Sequence, residues 1–112
     1  MKVRTSELDG ETIVIEVEDG DEGEVVDMLS LRENGYAIFG EAVPVAMAVI
    51  DGRLFSEEWF TSDHLLAIEA HELGHIRMLS NEEAVAEREG IRLLKEVGHT
   101  DAANLLIERG IV

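Results

Sequence analysis

The chain has 112 residues, enough for one small domain with one modest core, and its 25 acidic against 9 basic side chains give a formal charge of -16. That excess of acid argues against nucleic acid and anionic membranes as partners, because a phosphate surface requires a basic face opposite it. There is no cysteine, which excludes disulfides, thiolate metal sites and a cysteine nucleophile.

The first ten residues, MKVRTSELDG, lack the apolar core of a signal peptide, and no apolar run approaches the length of a membrane span. A soluble, cytoplasmic protein is expected. Residues 12–18, TIVIEVE, alternate in part and end at Asp19-Gly20, which predicts a strand. DEGEVVDMLSLRENG, 21–35, sets Val25, Val26 and Leu29 among helix formers and stops at Asn34-Gly35, which predicts a short amphipathic helix. YAIFG, 36–40, reads as a strand. AVPVAMAVI, 42–50, runs into Asp51-Gly52 and then RLF, a hairpin signal. Pro44 cannot donate to a ladder, so this strand is expected at a sheet edge.

The second half changes character. TSDHLLAIEAHELGHIRML, 61–79, opens on N-cap residues, with Leu65, Leu66, Leu73 and Ile76 on one side of a helical wheel. Ala67, Ala70 and Gly74 form a small-residue stripe on another, where a neighbour can pack closely. Ser80-Asn81 interrupts the pattern, a second helix runs from about 81 to 97, and a third covers 99–110, capped by Thr100 or Asp101. Strands early and helices late make an α+β domain over residues 1–112.

Two of the four histidines lie in AHELGH, residues 70–75. His71 and His75 are four apart, so a helix places both imidazoles on one face, one turn apart, where they can grip one cation. Glu72 is angled toward a water on that cation and is the candidate general base. A histidine and a glutamate inside a buried helix need partners. On the second helix, Ala86, Gly90, Ile91, Leu93, Leu94 and Val97 share one arc of the wheel, and only Glu83 and Glu87 bring charge into it. Carboxylates aimed at a core are costly unless a cation awaits them. Glu83 is therefore the candidate third metal ligand. Glu87 is the candidate acceptor for a ligand histidine's other nitrogen. Two other readings stand beside this one: Glu83 bonding back to the Ser80 amide in a capping box, and Glu82 as the ligand.

With these residues in place the chain resembles gluzincin metallopeptidases, in which HExxH is followed by a helix carrying E-x-x-[AS]-[DE], here Glu83-Ala84-Val85-Ala86-Glu87. PVAMAVIDGRLF, 44–55, is similar to the strand and hairpin that precede HExxH in the integral-membrane CAAX-processing and heat-shock metallopeptidases. The soluble archaeal minigluzincins match best, over roughly residues 36–97. Val45 stands where those families have Asn. The resemblance implies a small, mainly antiparallel sheet whose edge-strand hairpin roofs a cleft over an active-site helix and a glutamate helix. It implies a bound Zn2+, attack of an activated water on a peptide or unfolded-protein substrate, and Glu72 as the base that later serves the leaving amine. The substrate would lie antiparallel to strand 42–50, contacting Val45, Ala46, Met47 and Ala48. Latent relatives carry a terminal segment in the cleft, a role open here to MKVRTSELDG or IERGIV.

His64 reads as a histidine near a helix N-terminus or a cleft residue, and Trp59 and Phe60 as a staple or lid before the active helix. Tyr36, Arg88 and His99 are candidates for oxyanion stabilisation, a role left unassigned. Two functions are carried: a zinc-dependent endopeptidase, and a non-catalytic zinc-containing module that docks a peptide. An intact Glu72 favours the enzyme, because a dock has no use for a general base.

Overall fold

The computed structural model describes residues 1–32 and 34–111. Glu33, inside the stretch read as the first helix, and Val112, at the end of IERGIV, lie outside the described residues. Among the described residues four strands, β1 (Lys2–Thr5), β2 (Ile13–Val17), β3 (Gly35–Ile38) and β4 (Met47–Asp51), form one sheet in the order β1-β2-β4-β3. Four helices accompany it: α1 (Glu24–Ser30), α2 (Ser62–Met78), α3 (Glu83–Glu96) and α4 (Thr100–Arg109). β1 and β3 run antiparallel to their neighbours, and β2 and β4 are parallel. The fold is α+β with a mostly antiparallel mixed sheet and a C-terminal helix, as the element pattern implies.

Side chains alternate across the sheet, and each face has its own core. Val14, Ala48 and Ile50 face α2, α3 and α4, joining Leu73, Leu94 and Leu106. Ile15, Val17 and Val49 face the other way and cover Leu29 of α1 and the ring of Tyr36.

Three expectations about the sheet are corrected. MKVRTSELDG contains a strand, β1, at the edge farthest from β3, so this segment does not enter the cleft described below. The strand read at 42–50 begins only at Met47 and lies in the sheet interior, between β2 and β3. Pro44 precedes it, so the missing amide falls outside the ladder and says nothing about the edge. Asp51-Gly52 does not turn a hairpin. Asp51 caps a 3-10 helix, Gly52–Ser56, by accepting from the Arg53 amide at 3.1 Å, and its carboxylate pairs with the Arg53 guanidinium. The edge strand beside the helices is β3.

The helices follow the sequence closely. Thr61 caps α2, and His64 completes a reciprocal box, its Nδ1 accepting from the Thr61 amide at 3.2 Å. α2 ends at Leu79, the only described non-glycine residue in the left-handed region, with φ 48°. This αL cap turns the chain toward α3 and lets the Ser80 amide donate to the His75 carbonyl. His99, not Thr100 or Asp101, is the N-cap residue of α4, and no side chain caps that end.

The small-residue stripe does what its spacing implies. A Cβ on Gly74 would stand 2.1 Å from the Ala86 carbonyl oxygen, and one on Gly90 would stand 2.9 Å from that of Ala70. α2 and α3 thus touch backbone to backbone, which brings the arc carrying Glu83 and Glu87 against His71 and His75.

Candidate metal centre

His71 and His75 lie one turn apart on α2, both buried, with their rings edge to face at 4.9 Å. His75 also stacks on Phe39, just beyond β3. His71, Glu72 and His75 form a buried group whose ligand atoms all lie within 4.8 Å of one another and which could hold a metal ion. Glu83 stands closer still to the ring nitrogens: its Oε2 is 2.7 Å from His71 Nε2 and its Oε1 is 3.2 Å from His75 Nε2. The nearest approach of Glu72 to His75 Nε2 is 4.0 Å. For direct ligation Glu83 is the better placed of the two, and Glu72 stands off as a base would.

The opposite nitrogens are anchored. His75 Nδ1 donates to the Ser80 carbonyl at 2.7 Å, and His71 Nδ1 donates to Glu87 Oε1 at 2.7 Å. A neutral imidazole with its proton on Nδ1 presents a lone pair at Nε2. Both Nε2 atoms therefore aim lone pairs at the Glu83 carboxylate, an arrangement satisfied only by extra protons or by a cation between them. Two imidazoles and a carboxylate with fixed outer hydrogen bonds fit a divalent ion, and this nitrogen and oxygen donor set suits zinc.

Glu87 is fully buried, and Arg109 of α4 grips it, Nε at 3.0 Å from Oε2 and Nη2 at 2.8 Å from Oε1. Burial pushes this carboxyl up, but the hydrogen bonds from His71 and Arg109 outweigh it and hold its pKa below the ordinary value. Burial likewise works against the His71 imidazolium, yet the bond to Glu87 and the charges of Glu72, Glu87 and Glu83 raise its pKa overall. Glu72 is pushed up to about 7, first by burial and then by the Glu83 charge, against the opposing pull of His71, Arg109 and Arg32. Ionisation near neutral pH suits a general base.

The centre lies in a cleft of about 610 Å³ between α2, the first turn of α3, the end of α4 and the free edge of β3. At Gly35 of β3 a Cβ would meet the Val49 carbonyl at 2.5 Å and Glu72 Oε2 at 3.5 Å. A second cavity, of about 360 Å³, opens beside it under Trp59, Phe60 and His64 and shares Asn34, Ile68 and Arg109 with the cleft.

The structure thus brings together His71, Glu72, His75, Glu83 and Glu87. The capping-box reading of Glu83 does not hold: the Ser80 hydroxyl accepts from the Glu82 amide at 3.1 Å, and the Glu83 carboxylate faces the histidines. Glu82 is the exposed N-cap residue of α3. Val45, Ala46, Met47 and Ala48 do not line the cleft; Ala48 is fully buried in the sheet, and Val45 is exposed ahead of β4. Tyr36 turns its hydroxyl to the Val25 carbonyl, Arg88 is exposed on α3, and His64 caps α2. Arg109 was not singled out in the sequence. It sits seven residues after Ala102 and three after Leu106, on the buried stripe of α4, which is the same intrusion of charge into an apolar arc that marked Glu87.

No helix among the described residues is long and apolar enough to cross a membrane. No protein-family model, curated protein or solved structure matches the chain.

Proposed function

We propose that this chain is a zinc-dependent metallopeptidase of the gluzincin type. The observation that carries the reading is the convergence of His71 Nε2 and His75 Nε2 on the Glu83 carboxylate, with Glu72 buried alongside and half-ionised near pH 7. His71, His75 and Glu83 would hold the ion, which when bound supplies Lewis-acid polarisation of a peptide carbonyl and lowers the pKa of a water. Glu72 accepts the proton of the attacking water and returns it to the leaving amine, so it begins and ends the cycle ionised. Glu87, fixed by Arg109, holds the His71 proton on Nδ1 throughout. The peptide lies along the free edge of β3, where main-chain hydrogen bonds set its register. Gly35, at the start of that edge, lies against Glu72.

The test measures bound metal by elemental analysis and cleavage of an unfolded protein, for the wild type and for Glu72→Gln. About one zinc per chain in both proteins, with cleavage only by the wild type, is the expected result. Zinc in both with cleavage by neither would make the chain a peptide-docking module.

A further inference from the structure

Nine basic side chains serve this whole chain, and two of them, Arg32 and Arg109, line the cleft. Arg109 borders both cavities together with Asn34. Arg32 lies two residues before Asn34 in the chain, so it belongs to the end of the cleft where β3 begins, the wall that Asn34 and Arg109 also line. Arg109 spends Nε and Nη2 on Glu87 and is still two-fifths exposed. Arg32 is exposed and makes no ion pair among the described residues. Two arginines lining one groove, in a chain of charge -16, offer an anion attraction inside an otherwise repelling field.

The strand direction says which part of a substrate reaches that end. Gly35, the first residue of β3, lies over Glu72. A peptide paired antiparallel to β3 has its scissile bond there and continues past Asn34 toward Arg32 with its C-terminal half. We infer that the Arg32–Arg109 end of the cleft binds a carboxylate carried by the substrate on the C-terminal side of the scissile bond. This rests on the peptidase reading for the placement of the bond, but not for the binding itself. The same chemistry is offered by a free C-terminal carboxylate a few residues beyond the bond or by an aspartate or glutamate side chain. Guanidinium forks recognise either in two parallel hydrogen bonds.

The experiment uses the zinc-loaded protein and quenched peptides with one core sequence and four downstream ends: a free carboxylate, the same length amidated, an amidated extension carrying Glu, and the same extension carrying Lys. A carboxylate form should exceed its neutral or Lys counterpart in kcat/KM by about fivefold or more, with the difference in KM. Preference for the free acid alone identifies the chain terminus as the source; preference for the Glu extension alone identifies the side chain. Arg32→Glu should invert the order so that the Lys extension leads, and Arg32 touches no metal ligand. Equal rates for all four peptides, or an order that Arg32→Glu leaves unchanged, overturn the inference. If none is cleaved, the peptidase reading fails separately, and the same ranking is read from peptide binding by fluorescence anisotropy: a carboxylate preference that Arg32→Glu removes still supports the site, and a flat ranking overturns it.

Discussion

Where α2 meets α3, Gly74 faces the carbonyl of Ala86 with no space for a methyl group, and the surroundings are fully buried. At the mouth of the same cleft Glu83 carries a side chain 64% exposed, held among the described residues by the two histidine nitrogens. The floor is set by shape and the mouth by charge. The two histidines inherit their positions from the floor, because α2 cannot slide or rotate against α3 without driving Gly74 into a backbone oxygen. Only Glu83 would depend on the ion for its place. The metal-free chain should therefore keep its fold, unlike small domains whose core is the metal itself. Changes to the floor should cost stability with or without zinc, and changes to the mouth should cost zinc alone.

The largest effect on the fold is expected from Gly74→Ala. Its Cβ would meet Ala86 main-chain atoms at 2.1 to 3.0 Å, which no rotamer change relieves, so the two helices must separate. Overpacking of this kind costs about 3 kcal/mol, read as a lower urea midpoint for metal-free and zinc-loaded protein alike. An unchanged midpoint would mean that the floor yields and that the histidines owe their positions to something else. Gly90→Ala, at 2.9 Å from the Ala70 carbonyl oxygen, is the milder form of the same test and should cost about 1 kcal/mol.

Glu72 lies on the boundary between floor and mouth, and its effect runs the other way. Burial is the main reason its pKa stands at about 7, against an ordinary 4.5. The folded chain therefore binds more protons than the unfolded chain between those values, and this residue's contribution falls as pH rises from 4.5 through 7. Full ionisation above pH 7 leaves a buried, unpaired carboxylate. In metal-free protein Glu72→Gln should accordingly raise stability at pH 8 by about 3 kcal/mol and change little at pH 4.5. Urea melts at the two pH values measure both. A destabilised variant at pH 8 would show that the carboxylate has a partner there.

The same contrast explains what could be read from the residues alone. Floor elements announce themselves locally: the Ala67, Ala70, Gly74 stripe, the apolar arc of α3 and the cap at Thr61 all depend on spacing within one helix. The sheet was harder, because strand order is a matter of long-range pairing that no spacing encodes. Lys2–Thr5 is polar and exposed as an edge strand can be, so β1 gave no alternation to read. β4 was taken for the edge on the strength of a proline three residues outside it. The free edge beside the cleft is β3, so the substrate contacts expected of Val45 through Ala48 have no edge strand to stand on. Arg109 was legible by the test applied to α3, but its partner Glu87 is twenty-two residues away, and nothing local joins them.

Glu83→Ala is the smallest change to the fold and the sharpest test of the division. The side chain is largely solvated and reaches buried atoms only through the two histidine nitrogens, so truncating it should leave the metal-free melting temperature where it was. A bound ion, by contrast, would lose its one proposed carboxylate ligand and keep two imidazoles. Zinc stabilises the folded chain in proportion to the logarithm of its concentration over the dissociation constant, so a loss of affinity appears directly as a smaller thermal shift. The wild type should melt several degrees higher in excess zinc, and Glu83→Ala should show little of that shift from the same starting point. Glu82→Ala, one residue earlier and aimed at solvent, should retain the full shift. If Glu83→Ala instead lowered the metal-free melting temperature, the first turn of α3 would belong to the floor, and the hydrogen bonds from His71 and His75 would be holding the helices together rather than waiting for a cation.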